Sequence, residues 1–188
     1  MEFDRKGHRR QWRNANLSGK NLILAYVVLI FLGGCYAATP MVRMEKGESL
    51  ATYKIFKVTS TVNETGKKFE FDVAGELTQQ IKSKLKEKGY KINCETDTQE
   101  VCLVIKSRII TYEPGSVAKR WILQGTGKTR ATVRTFLIDN KTENIIGEIV
   151  TSEEVSGGGL FSAGADKWIL EVIAKGITNE IDKRVKGD

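Results

Sequence analysis

Histidine is nearly absent from this chain of 188 residues: there is one, His8, beside two prolines and three cysteines. The apolar runs are short too. The apolar run of the N-terminal region, Leu22 to Gly34, is thirteen residues without a charge, whereas a membrane-spanning helix needs about 20. Low proline content and 40% apolar residues exclude a disordered or collagen-like polymer. The formal charge of +7 is unevenly spread. Residues 1–34 hold Arg5, Lys6, Arg9, Arg10, Arg13 and Lys20 against Glu2 and Asp4. The remaining 24 basic and 21 acidic residues leave only +3 elsewhere. A nucleic-acid arm is therefore not expected: the basic cluster precedes an apolar run, where positive charge holds a segment on the cytoplasmic side.

Basic residues, a thirteen-residue apolar segment and then small residues follow the order of a secretory signal peptide. The segment closes on Leu32-Gly33-Gly34-Cys35, which resembles the lipobox of bacterial lipoproteins. That resemblance implies cleavage before Cys35 and acylation of its thiol, so that residues 1–34 are a signal peptide. Anchorage then comes from more than one acyl chain, since each buried methylene contributes about 0.8 kcal/mol and a single chain binds marginally. Residue 36 is Tyr rather than Asp. In the sorting logic of these lipoproteins an aspartate there favours the inner membrane, so the expected location is the outer membrane, facing the periplasm. Two alternatives stay open: retention at the inner membrane, and an uncleaved single-pass anchor.

Residues 35–48 read as the lipidated cysteine and a flexible tether, because AATPMVRMEKGE has no periodicity. As a coil it would hold the domain on the order of 20 Å from the lipid. A single domain is expected over residues 49–188. Within it, Ser49 to Val62 has strand composition, and Val73, Leu77, Ile81 and Leu85 recur at helical spacing before Gly89. Strands are predicted at Tyr90–Cys94 and Val101–Tyr112, the latter with Val101, Leu103, Ile105 and Ile109 on one face. Lys128–Ile138 and Asn144–Thr151 form a hairpin about Asp139-Asn140-Lys141-Thr142. Leu170, Ile173, Ile177 and Ile181 mark a final helix. The fold class is α+β: a mainly antiparallel sheet of four to five strands with two helices on one face. The GTGKTRATVRTFLIDNKTENIIGE hairpin, the strand-then-helix opening and the glycine-rich loop before the last helix resemble the domain-of-unknown-function 4410 family of bacterial lipoproteins over roughly residues 49–183. The resemblance implies a small α+β envelope domain and carries no catalytic or binding residues with it.

Cleavage would leave a mature chain without histidine, which removes Ser-His and Cys-His nucleophile pairs and every histidine-bearing zinc site. No enzyme activity, cofactor or metal is expected. Gly125-Thr126-Gly127-Lys128-Thr129 ends like a phosphate-binding loop, but position 122 is Ile and the following ATVRTFLI reads as strand, not helix. The run Gly157, Gly158, Gly159, Leu160 and Phe161 matches no nucleotide fingerprint; it is a mobile loop or, with its two apolar residues exposed, a contact surface. Cys94 and Cys102 flank a turn; free thiols are one reading, and export to an oxidising compartment favours a disulfide. Lys67, Lys68, Lys82, Lys84, Lys86, Lys88 and Lys91 are either a solvated face or a surface for anionic lipid headgroups. Trp121 and Trp168 are core residues or partner anchors. The alternative to a binding or assembly-support domain is an envelope enzyme working through carboxylates or a nucleophilic serine, with Glu153 and Glu154 as the first acid pair to inspect. Expected partners are the membrane, through acyl chains, other envelope proteins or anionic headgroups, and no nucleic acid.

Overall fold

The computed structural model describes residues 39–92, 94, 101–115, 128–155 and 165–187. Among these residues six strands and two helices follow in chain order: β1 (Met41–Met44), β2 (Ile55–Val58), β3 (Val62–Asn63), α1 (Val73–Glu87), β4 (Cys102–Glu113), β5 (Thr129–Asp139), β6 (Ile145–Val155) and α2 (Ala165–Lys186). They build one sheet in the order β1-β6-β5-β4-β2, with β3 also on β4. The β1–β6, β6–β5 and β5–β4 ladders are antiparallel, whereas β2 and β3 run parallel to β4. The parallel pairing arises because α1 carries the chain back along the sheet between them.

Both helices pack on the same face, as the sequence periodicity predicts. Leu77, Ile81 and Leu85 of α1 and Ile173, Ile177 and Ile181 of α2 are fully buried, in one core with Leu103, Ile105, Val133, Leu137 and Ile149. Helix α1 is capped by Asp72, whose carboxylate accepts from the Gly75 amide at 2.9 Å. It ends at Gly89, whose φ of +86° turns the chain so that the Gly89 and Tyr90 amides meet the Lys86 and Leu85 carbonyls.

Four expectations need correction. Part of the supposed tether is structured: residues 41–44 are an edge strand, in register Met41 opposite Val150 and Met44 opposite Gly147. Four residues at a sheet edge, half of them exposed, give too little alternation to stand out. The first long strand is instead two short ones, β2 and β3. Tyr90–Cys94 contributes only an isolated bridge, Lys91 with Ile55. Val101 lies outside β4 and is exposed, and a bulge at Ile110 shifts the inward face from Ile109 to Tyr112.

Candidate functional site: the uncovered face of the sheet

Among the described residues the helices cover one face of the sheet and leave the other to solvent. Alternation along β5 makes the division: Thr129, Ala131, Val133, Thr135 and Leu137 are buried beneath the helices, while Arg130, Thr132, Arg134, Phe136 and Ile138 face outward. Their cross-strand neighbours create a stripe of opposed charge. Glu154 accepts from Arg130 at 2.6 Å and from Lys128, and Glu148 meets Arg134 at 2.7 Å. Arg108 bonds Glu64 at 2.9 Å and lies 5.2 Å over the Phe136 ring. Thr132 and Ser152 share a hydroxyl contact of 3.0 Å. Pairs this exposed contribute little stability each; they order the side chains into a flat polar surface with Phe136 and Val150 between them.

At the end of this face where β2, β4 and β5 meet is an open cleft of about 510 Å³ whose polar lining includes Thr59, Ser60, Lys106, Asp139, Asn140 and Glu143. Asp139 is committed to structure. It accepts from Tyr53 Oη at 2.6 Å, from the Lys141 and Thr142 amides at 3.0 and 2.7 Å, and from the Thr142 hydroxyl at 2.9 Å, which shapes the β5–β6 turn. The Tyr53 bond foremost holds its carboxyl below the usual range. Asp182 of α2 is held down in the same way by Tyr90, whose hydroxyl lies 2.6 Å away and ties the chain after α1 to α2. Burial first, then these carboxylates, push Tyr53 and Tyr90 up.

The two tyrosine–aspartate bonds set a pH window. Depressed carboxylates contribute stability that is present above the ordinary carboxylate pKa near 4 and drains as pH falls below it. Raised tyrosines contribute stability that is present below about pH 10 and is lost above it. The melting temperature is therefore expected to be flat between about pH 5 and 9 and to fall on both sides. Tyr90→Phe should make the acid limb shallower, and a melting temperature unchanged down to pH 3 would contradict this.

The structure separates the candidate acid pair. Glu153 is 6% exposed and faces the helix layer, while Glu154 lies on the open face in its pairs with Lys128 and Arg130. Adjacent strand residues point to opposite sides, so the two carboxylates do not flank a common substrate. Lys128 and then Arg130 also hold the Glu154 carboxyl below its usual range, away from a proton donor's role at neutral pH. Among the described residues no group of three or more His, Cys, Asp or Glu could hold a metal, and no helix is long and apolar enough to cross a membrane.

The other candidates are placed as follows. Cys94 and Cys102 are joined in a disulfide, with their Cα atoms 6.2 Å apart. Lys128 pairs with Glu154 and is followed by strand β5, not by a phosphate-cradling helix. Lys84 and Lys88 turn to Glu171 and Asp182 of α2, so the basic face of α1 is smaller than its sequence suggests. Trp168 is 43% exposed on the first turn of α2. Leu32, Gly33, Gly34 and Cys35, Trp121, and Gly157 to Phe161 lie outside the described residues. The charged stripe itself escaped the sequence reading. The signal was present in the alternation of Arg130, Arg134 and Glu148, but only the strand register puts their partners opposite.

Solved structures share this fold. The PelC L103M dodecamer from Paraburkholderia phytofirmans is 13% identical and superposes with a TM-score of 0.54 over 75% of this chain and 98% of that one. The hypothetical protein CT253 from Chlamydia trachomatis is 12% identical, with a TM-score of 0.53 over 72% and 99%. The lipoprotein GNA1162 from Neisseria meningitidis also aligns, at 11% identity and a TM-score of 0.43 over 69% and 98%. No curated protein matches the sequence. A family model described as "Domain of unknown function (DUF4410)" matches residues 46–159, from the turn after β1 to the glycine-rich stretch after β6, and the chain belongs to that family.

Proposed function

We propose that this protein is an envelope lipoprotein, anchored through acyl chains on Cys35 in the outer membrane and facing the periplasm, whose domain works by binding or by supporting an assembly rather than by catalysis. The observation that carries the reading is Leu32-Gly33-Gly34-Cys35 at the end of a basic-then-apolar segment, six residues ahead of the first strand. The open face supports the second half of the reading. It is broad and charge-striped, and Glu64, Glu148 and Glu154 on it are taken up in ion pairs with Arg108, Arg134, Arg130 and Lys128. PelC, which shares the fold, is a dodecamer, and a flat face of alternating sign is a surface on which neighbouring subunits or other envelope proteins can register.

The test is the intact mass and N-terminal peptide of protein extracted from membranes, beside Cys35→Ala. Loss of residues 1–34 with acyl mass on Cys35, abolished in the variant, is the expected result. Density separation of the two membranes then checks the location. A full-length, unmodified chain would overturn the anchor.

A further inference from the structure

The cleft where β2, β4 and β5 meet carries two opposite charges without a partner among the described residues. From their placement we infer that it binds a short peptide with free termini, the carboxylate toward Lys106 and the ammonium toward Glu143. The inference does not depend on the Cys35 anchor.

Strand register sets the floor of the cleft. Val104 of β4 lies opposite Ile138 of β5 on the outward side of the sheet, and both line the cleft. Lys106 is the next outward residue along β4, about 7 Å further on. The β5–β6 turn leaves Ile138 in the opposite direction, where the Asn140 amide donates to the Cys102 carbonyl at 3.1 Å. Lys106 therefore stands at one end of an apolar floor, and Asn140 and Glu143 at the other. Thr59 and Ser60 make a side wall, because the Thr59 amide and hydroxyl both bond the Ile105 carbonyl, at 3.0 and 3.2 Å.

The polar groups of this lining differ in what they have left to bond. Asp139 is taken up by Tyr53 and by the turn. The side chains of Ser60, Lys106, Asn140 and Glu143 have no hydrogen-bond or ion-pair partner among the described residues. Arg108, Arg130 and Arg134 on the same face, in contrast, each meet a carboxylate. Lys106 and Glu143 do not neutralise each other because the floor lies between them. From Phe136, level with Lys106, to Asn140 is four residues, about 13 Å between Cα atoms. Side chains lining the cleft from both ends narrow that gap toward the length of three extended residues, about 10 Å.

The far end is also held in place. Glu143 has a φ of +58°, and its amide donates to the Asp139 carbonyl at 2.9 Å. Glycine adopts this conformation freely, so the turn itself has no need of a carboxylate there. A dipolar molecule of matching length satisfies both charges at once, and its middle side chain covers Val104 and Ile138. Its peptide groups find the Ser60 hydroxyl and the Asn140 carboxamide. A simple anion would meet Lys106 alone, and the interior of a long polypeptide has no charged ends to offer.

The experiment titrates the tripeptide Ala-Leu-Ala, its N-acetyl form and its C-terminal amide into nitrogen-15-labelled full-length protein in detergent micelles, followed by amide shifts in NMR. The expected dissociation constant is about 1 mM, with shifts gathered at residues 59–60, 104–106 and 138–143. N-acetylation should weaken binding by about threefold, Glu143→Gln by the same factor, and the two together by no more than either alone. C-terminal amidation and Lys106→Gln should behave as a second such pair. Lys141→Gln, outside the lining, should leave the affinity unchanged. Absence of saturable shifts well above that concentration overturns the inference. So do shifts centred elsewhere on the surface, or an affinity indifferent to both termini and both variants.

Discussion

Ile81→Ala and Ile177→Ala are each expected to cost about 2–5 kcal/mol of unfolding free energy, lowering the melting temperature by about 10 °C. Both side chains are wholly buried, one on α1 and the other on α2, where the helices pack together over the sheet. Truncation removes the transfer energy of three carbons and opens a cavity that two helices held by a common core cannot close. Ile110→Ala supplies the contrast. In sequence it sits next to Ile109 and is equally apolar, but the bulge turns it to solvent, where it is 37% exposed. Its loss should cost under about 1 kcal/mol. Thermal unfolding of the three variants followed by circular dichroism checks the ranking, and equal losses at Ile81 and Ile110 would refute the placement of the core.

Opening the Cys94–Cys102 disulfide is the second large effect expected, about 2.5 kcal/mol for a loop this short in the chain-entropy model. Cys94→Ser is the cleaner variant, because Cys102 is fully buried and a hydroxyl there adds its own desolvation cost. Reductant applied to the wild type should give the same loss as Cys94→Ser and no further loss in that variant. With Cys35 acylated and the other two cysteines paired, thiol titration of the denatured mature chain should find no free thiol, since the sequence has three cysteines in all. A wild type whose stability ignores reductant would refute the pairing. Such a bond suits the oxidising periplasm expected from the signal sequence.

Helices α1 and α2 were legible because each presents a four-residue apolar repeat long enough to exceed chance, and the β5–β6 hairpin because Asp139 and Thr142 are turn formers between two alternating runs. Strand β1 was not legible. Met41 to Met44 owe their conformation to hydrogen bonds supplied by β6, and nothing in MVRM itself favours a strand over a coil. The parallel placement of β2 and β3 was equally hidden, since sequence order does not say on which side of β4 a returning strand will lie.

For the functional surfaces the division follows the same physical line. The sequence by itself determined what is local and covalent: the lipobox-like address at Cys35, the histidine-poor inventory that disfavours most nucleophilic chemistry, and the two cysteines close enough to pair. Local signals survive without a fold because they act over a few residues. Tertiary structure alone decided what depends on distance across the sheet: that Glu153 and Glu154 part to opposite faces, that Arg130, Arg134 and Arg108 find Glu154, Glu148 and Glu64, and that Met41–Met44 pair with β6 as a strand. Side chains brought together by register are neighbours in space and not in sequence, and only the closing of the ladders over a common core fixes which of them meet.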